Sequence, residues 1–200
     1  MEGATNKLQH KLLGLSSIMA PVLFGLSTFF WRNGEYGVIA ATILASSMVF
    51  WIPALSTLFG LLKNKMPYYY SIGLFIAIYG CCMGGIGFGL LGYFSTIFNI
   101  SHQTYLKTLS QYPISSGILL FWAGPLFPLS LLVLGINLTI KKAVENWLGI
   151  ILCLGAILFP LSRILRIEII AHVADLLLAI PFIVVGWRSL TGAIKINDTK

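Results

Sequence analysis

The chain has 200 residues, of which 58% are hydrophobic and only 10% are charged. A soluble domain carries about 25% charged residues, so this composition excludes an ordinary water-soluble fold and indicates a chain that lies in a bilayer. The net charge of +7 comes from Lys and Arg residues that stand singly or in pairs between apolar runs, and no basic cluster is interleaved with aromatic residues, which argues against nucleic-acid binding.

Six apolar runs are long enough to cross a membrane, since a span needs about 20 residues to traverse about 30 Å of hydrocarbon. In chain order we predict spans near Leu12–Trp31, Tyr36–Leu62, Tyr68–Phe94, Ser115–Asn137, Asn146–Ser162 and Ile167–Trp187. The first run ends without a small-x-small cleavage site, so we expect a retained span rather than a removed signal peptide. The predicted fold class is an all-α integral membrane bundle of six transmembrane helices, forming a single domain over residues 1–200.

Basic residues are distributed unevenly between the two sides of this bundle. If the N-terminus is cytoplasmic, nine lie on the inner side and four on the outer side: Lys7, Lys11, Lys63, Lys65, Lys141, Lys142, Arg188, Lys195 and Lys200, against Arg32, Lys107, Arg163 and Arg166. Because cytoplasmic loops are enriched in Lys and Arg, this distribution favours cytoplasmic N and C termini. We predict a multi-pass protein of the plasma membrane.

The longest polar segment between spans, residues 95–113, is predicted to be an outer loop. Within it Tyr105, Leu106, Leu109 and Tyr112 recur at helical spacing, so part of the loop is expected to form a helix on the membrane surface. No loop exceeds about 20 residues, which excludes a soluble catalytic domain.

The predicted third span contains the glycine-rich sequence GCCMGGIGFGLLGY, residues 80–93. On a helix its glycines form two faces, one of Gly80, Gly84 and Gly87 and another of Gly85, Gly89 and Gly92. Small residues let membrane helices approach closely, so we expect a packing role, either within the chain or toward a homo-oligomer or membrane partner. The alternative is that the glycines leave room for a flat or acyl ligand beside the backbone.

The predicted fourth span contains FWAGPLFPLS, residues 121–130, with two prolines and a glycine near its middle. Proline removes a backbone donor and clashes with the preceding turn, so a kink or an unwound segment is expected. The carbonyls freed in this way can line a cavity or be satisfied by neighbouring helices. Trp122, which lies in this stretch, is a candidate pocket wall, with core packing as the alternative.

The last span begins RIEIIAHVADLLLAIP, residues 166–181, and carries three polar residues. Glu168, His172 and Asp175 share an arc of about 60° on a helix. A central Asp costs about 2.5–3.5 kcal/mol on insertion, and such residues usually face the bundle interior or a wet cavity and mark a functional site. The alternative is an internal hydrogen-bond network between His172 or Asp175 and Ser, Thr or Tyr groups of neighbouring spans.

Glu168, His172 and Asp175 are called the polar stripe below. Two arginines stand directly before it, in the sequence SRILRIE. Arg163 and Arg166 fall in the predicted short turn between the last two spans, on the side where basic residues are disfavoured. Since arginine holds carboxylate or phosphate through a planar fork, we expect them to attract an anionic solute or headgroup, with Glu168 orienting them. Alternatively, one arginine pairs with Glu168 and the other contacts lipid phosphate.

Metal and enzyme signatures are weak in this sequence. A zinc site on the stripe would need His102 of the outer loop as a further ligand, and no H-E-x-x-H or G-x-S-x-G motif occurs. We therefore predict no metal and no cofactor; whether the protein is an enzyme stays open, with a non-enzymatic role preferred.

The segment GPLFPLSLLVLGINLTIKKAVENWLGIILCLGAILFPLSRILRIEIIAHVADLLLAIPFIVVGW, residues 124–187, resembles small multi-span membrane proteins of prokaryotes with no assigned function. The shared features are a Gly-Pro-broken span, a Lys turn, a span that ends in Pro and an Asp-bearing last span. The resemblance implies an integral membrane bundle and transfers no activity or site residue.

These observations predict a non-enzymatic membrane protein that binds or passes a small solute, ion or lipid through an outward-facing polar pocket. The pocket is expected between the last two spans, with six candidate ligand-binding residues: Trp122, Arg163, Arg166, Glu168, His172 and Asp175. Two alternatives remain open at this point. One is an intramembrane hydrolase, with or without a metal, that uses His172 and a carboxylate; the other is a structural or regulatory subunit of a membrane complex.

Overall fold

The computed structural model describes residues 2–32 and 34–193, with side chains from residue 8 onward except that of His102. Three predictions fall outside the described atoms: the inner positions of the Lys7, Lys195 and Lys200 side chains. A fourth, the participation of the His102 side chain in a metal site, falls outside them as well.

The chain order of the helices and strands follows the predicted spans. Helix α1 (Glu2–Thr28) leads through a hairpin of β1 (Trp31–Arg32) and β2 (Glu35–Tyr36) into α2 (Val38–Gly60). The third span is a continuous helix made of α3 (Pro67–Tyr79), a π-helical segment π1 (Gly80–Ile86) and α4 (Gly87–Ile97). A short helix, α5 (His102–Leu109), precedes the fourth span, which consists of α6 (Pro113–Ser116), π2 (Gly117–Phe121) and α7 (Ala123–Ile140). The chain continues through α8 (Asn146–Leu165) and α9 (Glu168–Leu190).

The helices confirm a multi-pass membrane protein. In the described part of the chain six are long and apolar enough to cross a membrane: Leu8–Thr28, Val38–Gly60, Pro67–Ile97, Pro113–Ile140, Asn146–Leu165 and Glu168–Leu190. Their apolar outer surfaces suit contact with a lipid bilayer. Helix α5 lies inside the predicted outer loop, and its position on the membrane surface stays a prediction.

Two boundaries differ from the sequence-based expectation. Trp31 does not end the first helix but begins the hairpin, where it pairs with Tyr36 across a two-residue turn whose Gly34 has a φ of +73°. Arg163 lies in the last turn of α8 rather than in the connecting turn, because α8 continues to Leu165 and ends at Arg166 in a left-handed conformation. The hairpin is the small departure from an all-α fold.

The six spans form a closed ring in chain order. Each packs on the next, and α9 returns to pack on α1. Aromatic rings fill the centre, where Trp51 meets Phe127 and Phe182 edge to face at 5.1 and 4.8 Å between ring centroids. One end of the ring, here called the hairpin end, carries the β1–β2 hairpin, α5 and the α8–α9 turn.

The two glycine faces of the third span pack on two different neighbours, as their spacing indicates. A Cβ atom on Gly80 or Gly84 would lie 2.5 Å from Phe127 N or 2.8 Å from Gly124 Cα of the fourth span. On the other face, Gly89 packs on α2. The glycines therefore serve close packing within the chain, and a homo-oligomer or membrane partner through this span stays a prediction.

The third and fourth spans each change locally from α-helical to π-helical hydrogen bonding. In the fourth span Trp122 N donates to Gly117 O at 2.8 Å, a bond from residue i to residue i−5. The break comes one turn before Pro125, whose ring nitrogen has no proton to donate to the carbonyl of Phe121. The irregularity expected from the prolines is thus present, as a π-helical turn.

Candidate functional site

An ion pair between the last two helices lies at the hairpin end of the bundle. Nη2 of Arg163 donates to both carboxylate oxygens of Asp175, at 2.8 and 3.2 Å. The hydroxyl of Thr28 donates to Asp175 Oδ2 at 2.5 Å, and Arg163 Nη1 donates to Ser162 Oγ at 2.9 Å. The side chains of Arg163 and Asp175 are only 14% and 4% exposed, so the two charges neutralise each other away from water.

Aromatic rings surround the Arg163 guanidinium. Its Cζ atom lies 4.5 Å from the ring centroid of Phe159, 4.9 Å from that of Trp31 and 5.4 Å from that of Phe24. The negative face of an aromatic ring attracts a cation, and the attraction is stronger where water is excluded. The rings therefore help to hold a buried cation whose hydration has been lost.

The hairpin is tied to the α8–α9 turn by a second set of polar contacts. Arg166 Nη1 pairs with Glu35, and Gly34 N donates to Glu168 Oε1 at 3.4 Å. Gly34 also packs tightly on Arg166, since a Cβ atom there would lie 2.7 Å from Arg166 Cβ. Arg163 and Arg166 thus each have a carboxylate partner other than Glu168.

A cavity of about 480 Å³ lies beneath the hairpin. Its walls are largely aromatic: Phe24, Trp31, Phe88, Phe121, Phe127 and Phe159. The third and fourth spans also contribute small residues and prolines to the lining: Gly84, Gly85, Gly92, Gly124, Pro125 and Pro128. The charged and phenolic groups gather toward the hairpin: Glu35, Tyr36, Tyr105, Arg163 and Arg166.

Two of the six predicted site residues, Arg163 and Arg166, line this cavity. Among the described residues that form its walls, Trp122, Glu168, His172 and Asp175 do not occur. The pocket was expected between the last two spans, whereas this cavity is lined by the hairpin, by α5 and by the first five spans, with no described residue of α9 in its wall.

The four other residues occupy different surroundings. Asp175 faces inward to its ion pair, whereas His172 stacks on Phe29 at 4.3 Å between ring centroids and is half-buried. Glu168 is exposed where α9 begins. Trp122 is 60% exposed, and its indole covers Gly117 on the outside of the fourth span. The three stripe residues on α9 thus lie in different environments, from the exposed Glu168 to the buried Asp175.

Two buried donors beside the cavity have no hydrogen-bond partner in the described part of the chain. They are Nε1 of Trp31 and Nε of Arg163, and both residues line the cavity. Such groups are rare in native structures and call for a partner such as water or a ligand. Trp51 Nε1 is also unpartnered, but Trp51 lies in the central aromatic packing outside the cavity wall.

Tyr36 places a phenol at the same end of the cavity. Burial raises the pKa of the Tyr36 phenol, and the nearby guanidinium of Arg163 partly opposes that rise. A raised pKa keeps the phenol protonated and neutral near pH 7. Its ring stands edge to face on Trp31 at 5.0 Å between centroids, which places the phenol near both Trp31 and Arg163.

The sequence contained one usable signal for the missed residues. Asn33-Gly34 lies between Trp31-Arg32 and Glu35-Tyr36, and an Asn-Gly pair is a strong hairpin signal that would have placed Trp31 opposite Tyr36. No comparable signal joins Phe24, Phe159 and the glycine faces, which meet only through tertiary packing.

The described side chains contain no group of three or more His, Cys, Asp or Glu residues able to hold a metal ion. The polar groups of the site are instead donors and neutralised charges beside an apolar cavity, an arrangement suited to binding. Comparison of the chain with known protein families, with curated proteins and with solved structures gave no match.

Proposed function

We propose that this protein is a non-enzymatic, multi-pass protein of the plasma membrane that binds a small membrane-soluble molecule in the cavity. The observation that carries the proposal is the cavity itself, about 480 Å³ in volume, with aromatic walls and a few polar groups converging at one end. Small-molecule sites commonly have about 300–1,000 Å³ and this division between apolar walls and a few polar groups.

The orientation proposed for the bundle has both termini in the cytoplasm and the hairpin end outside. The excess of Lys and Arg in the segments opposite the hairpin end supports this orientation. The cavity would then open toward the outer half of the bilayer.

Two wall residues of the cavity are also exposed on the outside of the bundle. Phe121 is 42% exposed and Ile164 is 76% exposed. Both lie within candidate spans, so in a bilayer they would contact lipid chains. This dual position supports entry of the ligand sideways from the lipid.

Binding is favoured over passage through the bundle. Trp51, Phe127 and Phe182 fill the ring of helices below the cavity. Interiors packed with aromatic rings leave no continuous path for a solute. The π-helical segments beside the cavity, π1 and π2, also support a binding role, because such segments often occur at functional sites.

The test is native mass spectrometry of the full chain released from lipid nanodiscs. Leu91 lines the cavity whereas its neighbour Leu90 faces outward, so Leu91→Trp projects an indole into the cavity and Leu90→Trp is its matched control. We expect a retained small-molecule adduct on the wild type and on Leu90→Trp that is lost from Leu91→Trp. A wild type without an adduct, or an adduct unaffected by Leu91→Trp, would contradict the proposal.

A further inference from the structure

We infer that the cavity recognises an uncharged hydrogen-bond acceptor, of the ketone, ester or quinone type, carried on a flat apolar body. Nε1 of Trp31 and Nε of Arg163 are the donors assigned to that acceptor. This inference rests on the proposed function, since it names the chemistry of the ligand for the same cavity.

The donors supply the first argument. Trp31 is only 8% exposed and Arg163 is 14% exposed, and neither Nε1 nor Nε has a partner among the described residues. The guanidinium Cζ lies 4.9 Å from the Trp31 ring centroid, so the two donors lie close to each other in residues that both line the cavity. A carbonyl oxygen has two lone pairs and can accept from both donors.

The charge balance supplies the second argument. Asp175 neutralises Arg163 through two oxygens, and Glu35 pairs with Arg166. A carboxylate or phosphate entering the cavity would add a negative charge to an already balanced, poorly hydrated cluster or would have to displace Asp175. A neutral acceptor takes the two unpartnered donors and leaves both ion pairs intact. Because both arginines already have carboxylate partners, we expect a neutral ligand rather than the anionic one that the arginines alone suggest.

The shape and lining of the walls supply the third argument. Phe24, Phe88 and Phe159 present aromatic surface, and Gly84 and Gly85 of the third span also line the cavity. Aromatic side chains stack on planar groups, and glycine allows such a group to approach the backbone closely. A flat apolar body suits these aromatic walls better than a bulky polar headgroup does.

The test compares the binding of three naphthalenes of similar shape to the full chain in lipid nanodiscs. The probes are 2-acetylnaphthalene, which carries a neutral acceptor, 2-ethylnaphthalene, which carries none, and 2-naphthoate, which is an anion. Equilibrium dialysis measures binding after subtraction of partition into empty nanodiscs. We expect the ketone to bind about tenfold more tightly than either of the other probes, because one or two hydrogen bonds formed away from water contribute about that factor.

Trp31→Phe keeps an aromatic ring over Arg163 and removes one donor, so it should reduce the preference for the ketone severalfold. Trp147→Phe is the matched control, because Trp147 is exposed and lies outside the cavity wall. If Trp31→Phe fails to fold, the wild-type protein decides the question. Its Trp31 indole proton should then shift in ¹⁵N-edited NMR spectra and exchange more slowly with the ketone than with the hydrocarbon.

Equal binding of ketone and hydrocarbon would overturn the inference, as would preference for the anion or a ketone preference that Trp31→Phe leaves unchanged. If all three probes bind equally and Leu91→Trp blocks them all, the pocket stands and only the assignment of the acceptor falls. The assignment also falls if none of the probes binds while the native adduct is still retained.

Discussion

One nitrogen of Arg163, Nη2, reaches both carboxylate oxygens of Asp175 and so joins α8 to α9 through a single buried ion pair. Thr28 extends the connection to α1 through its hydroxyl. Both charges have given up hydration, and their mutual contact, the surrounding hydrogen bonds and the aromatic rings around Arg163 compensate that loss. The pair therefore fixes the geometry of three helices at the hairpin end while leaving no net charge beside the cavity.

Asp175→Ala should destabilise the protein by about 3–5 kcal/mol, because it leaves the buried Arg163 charge without its partner. The double variant Arg163→Met, Asp175→Leu should recover much of that loss, since no unpaired charge is left. Reversible unfolding with sodium dodecyl sulfate in mixed micelles measures both. Glu168→Ala, on the exposed start of α9, is the control and should cost less than about 1 kcal/mol. Equal losses for Asp175→Ala and Glu168→Ala would contradict this account of the pair.

Thr28→Val should cost about 1.5–3 kcal/mol, because it removes a buried hydroxyl that donates to a charged oxygen while keeping the shape of the side chain. Thr42→Val is the matched control, since the exposed Thr42 hydroxyl bonds only to Val38 O of its own helix among the described contacts. The same unfolding assay compares them, and similar free energies for the two variants would show that the bond to Asp175 adds little.

The membrane spans could be predicted from the sequence because each is a local property of composition and length. All six predicted runs overlap the candidate spans of the structure. The two faces of glycines on the third span also follow from helical periodicity alone, and they pack on different neighbours. The end of the first span was misplaced at Trp31, because aromatic residues at a span end suggest an interfacial position equally well in a helix and in a hairpin.

The site could be predicted only in part, because its walls come from segments far apart in the chain. Periodicity puts Glu168, His172 and Asp175 on one arc, but α9 begins at Glu168, and of the three only Asp175 is buried. The internal network weighed as an alternative for Asp175 is present, with Thr28 as one partner. Pairing of Arg163 with Asp175 was not expected, since the position of Arg163 inside α8 depends on where that helix ends.

Gly80→Ala should destabilise the protein by about 1–3 kcal/mol, a usual cost of overpacking. The added methyl group would lie 2.5 Å from Phe127 N and 2.9 Å from Leu126 C, so the backbone of the third or fourth span must shift. Gly37→Ala is the control, because a Cβ atom there meets nothing within 4 Å. Its stability should be unchanged or slightly higher, since alanine restricts the unfolded chain. A tolerated Gly80→Ala would mean that these helices are less closely packed than described.

The exposed ion pair of Glu145 and Arg188 lies at the end opposite the hairpin. It should make a small contribution to the stability of the protein that is lost at acid pH. A hydrogen bond from Arg188 lowers the pKa of the Glu145 carboxyl below its ordinary value. A lowered folded-state pKa means that the contribution is complete above the unfolded-state pKa and is lost as the pH falls through the folded-state value. Because both side chains are substantially exposed, the contribution should stay below about 1 kcal/mol and shrink in salt.

Unfolding measured between about pH 6 and pH 3 checks this prediction, since carboxyl groups of Glu titrate in that interval. Glu145→Gln should flatten the pH dependence by the amount that the pair contributes, and Glu168→Gln provides a carboxyl control outside the pair. A pH profile unaltered by Glu145→Gln would show that the contact is too mobile in solution to stabilise the fold.

The orientation of the bundle predicts opposite labelling of its two ends in intact cells. In a background with Cys81, Cys82 and Cys153 replaced, Gln103→Cys on α5 and Asn64→Cys in the α2–α3 turn each introduce one exposed thiol. Both positions are uncharged, so the distribution of Lys and Arg that sets topology is left intact. A membrane-impermeant maleimide should label Gln103→Cys in intact cells and Asn64→Cys only after permeabilisation. The reverse pattern would place the cavity on the cytoplasmic side and require its ligand to come from the inner half of the bilayer.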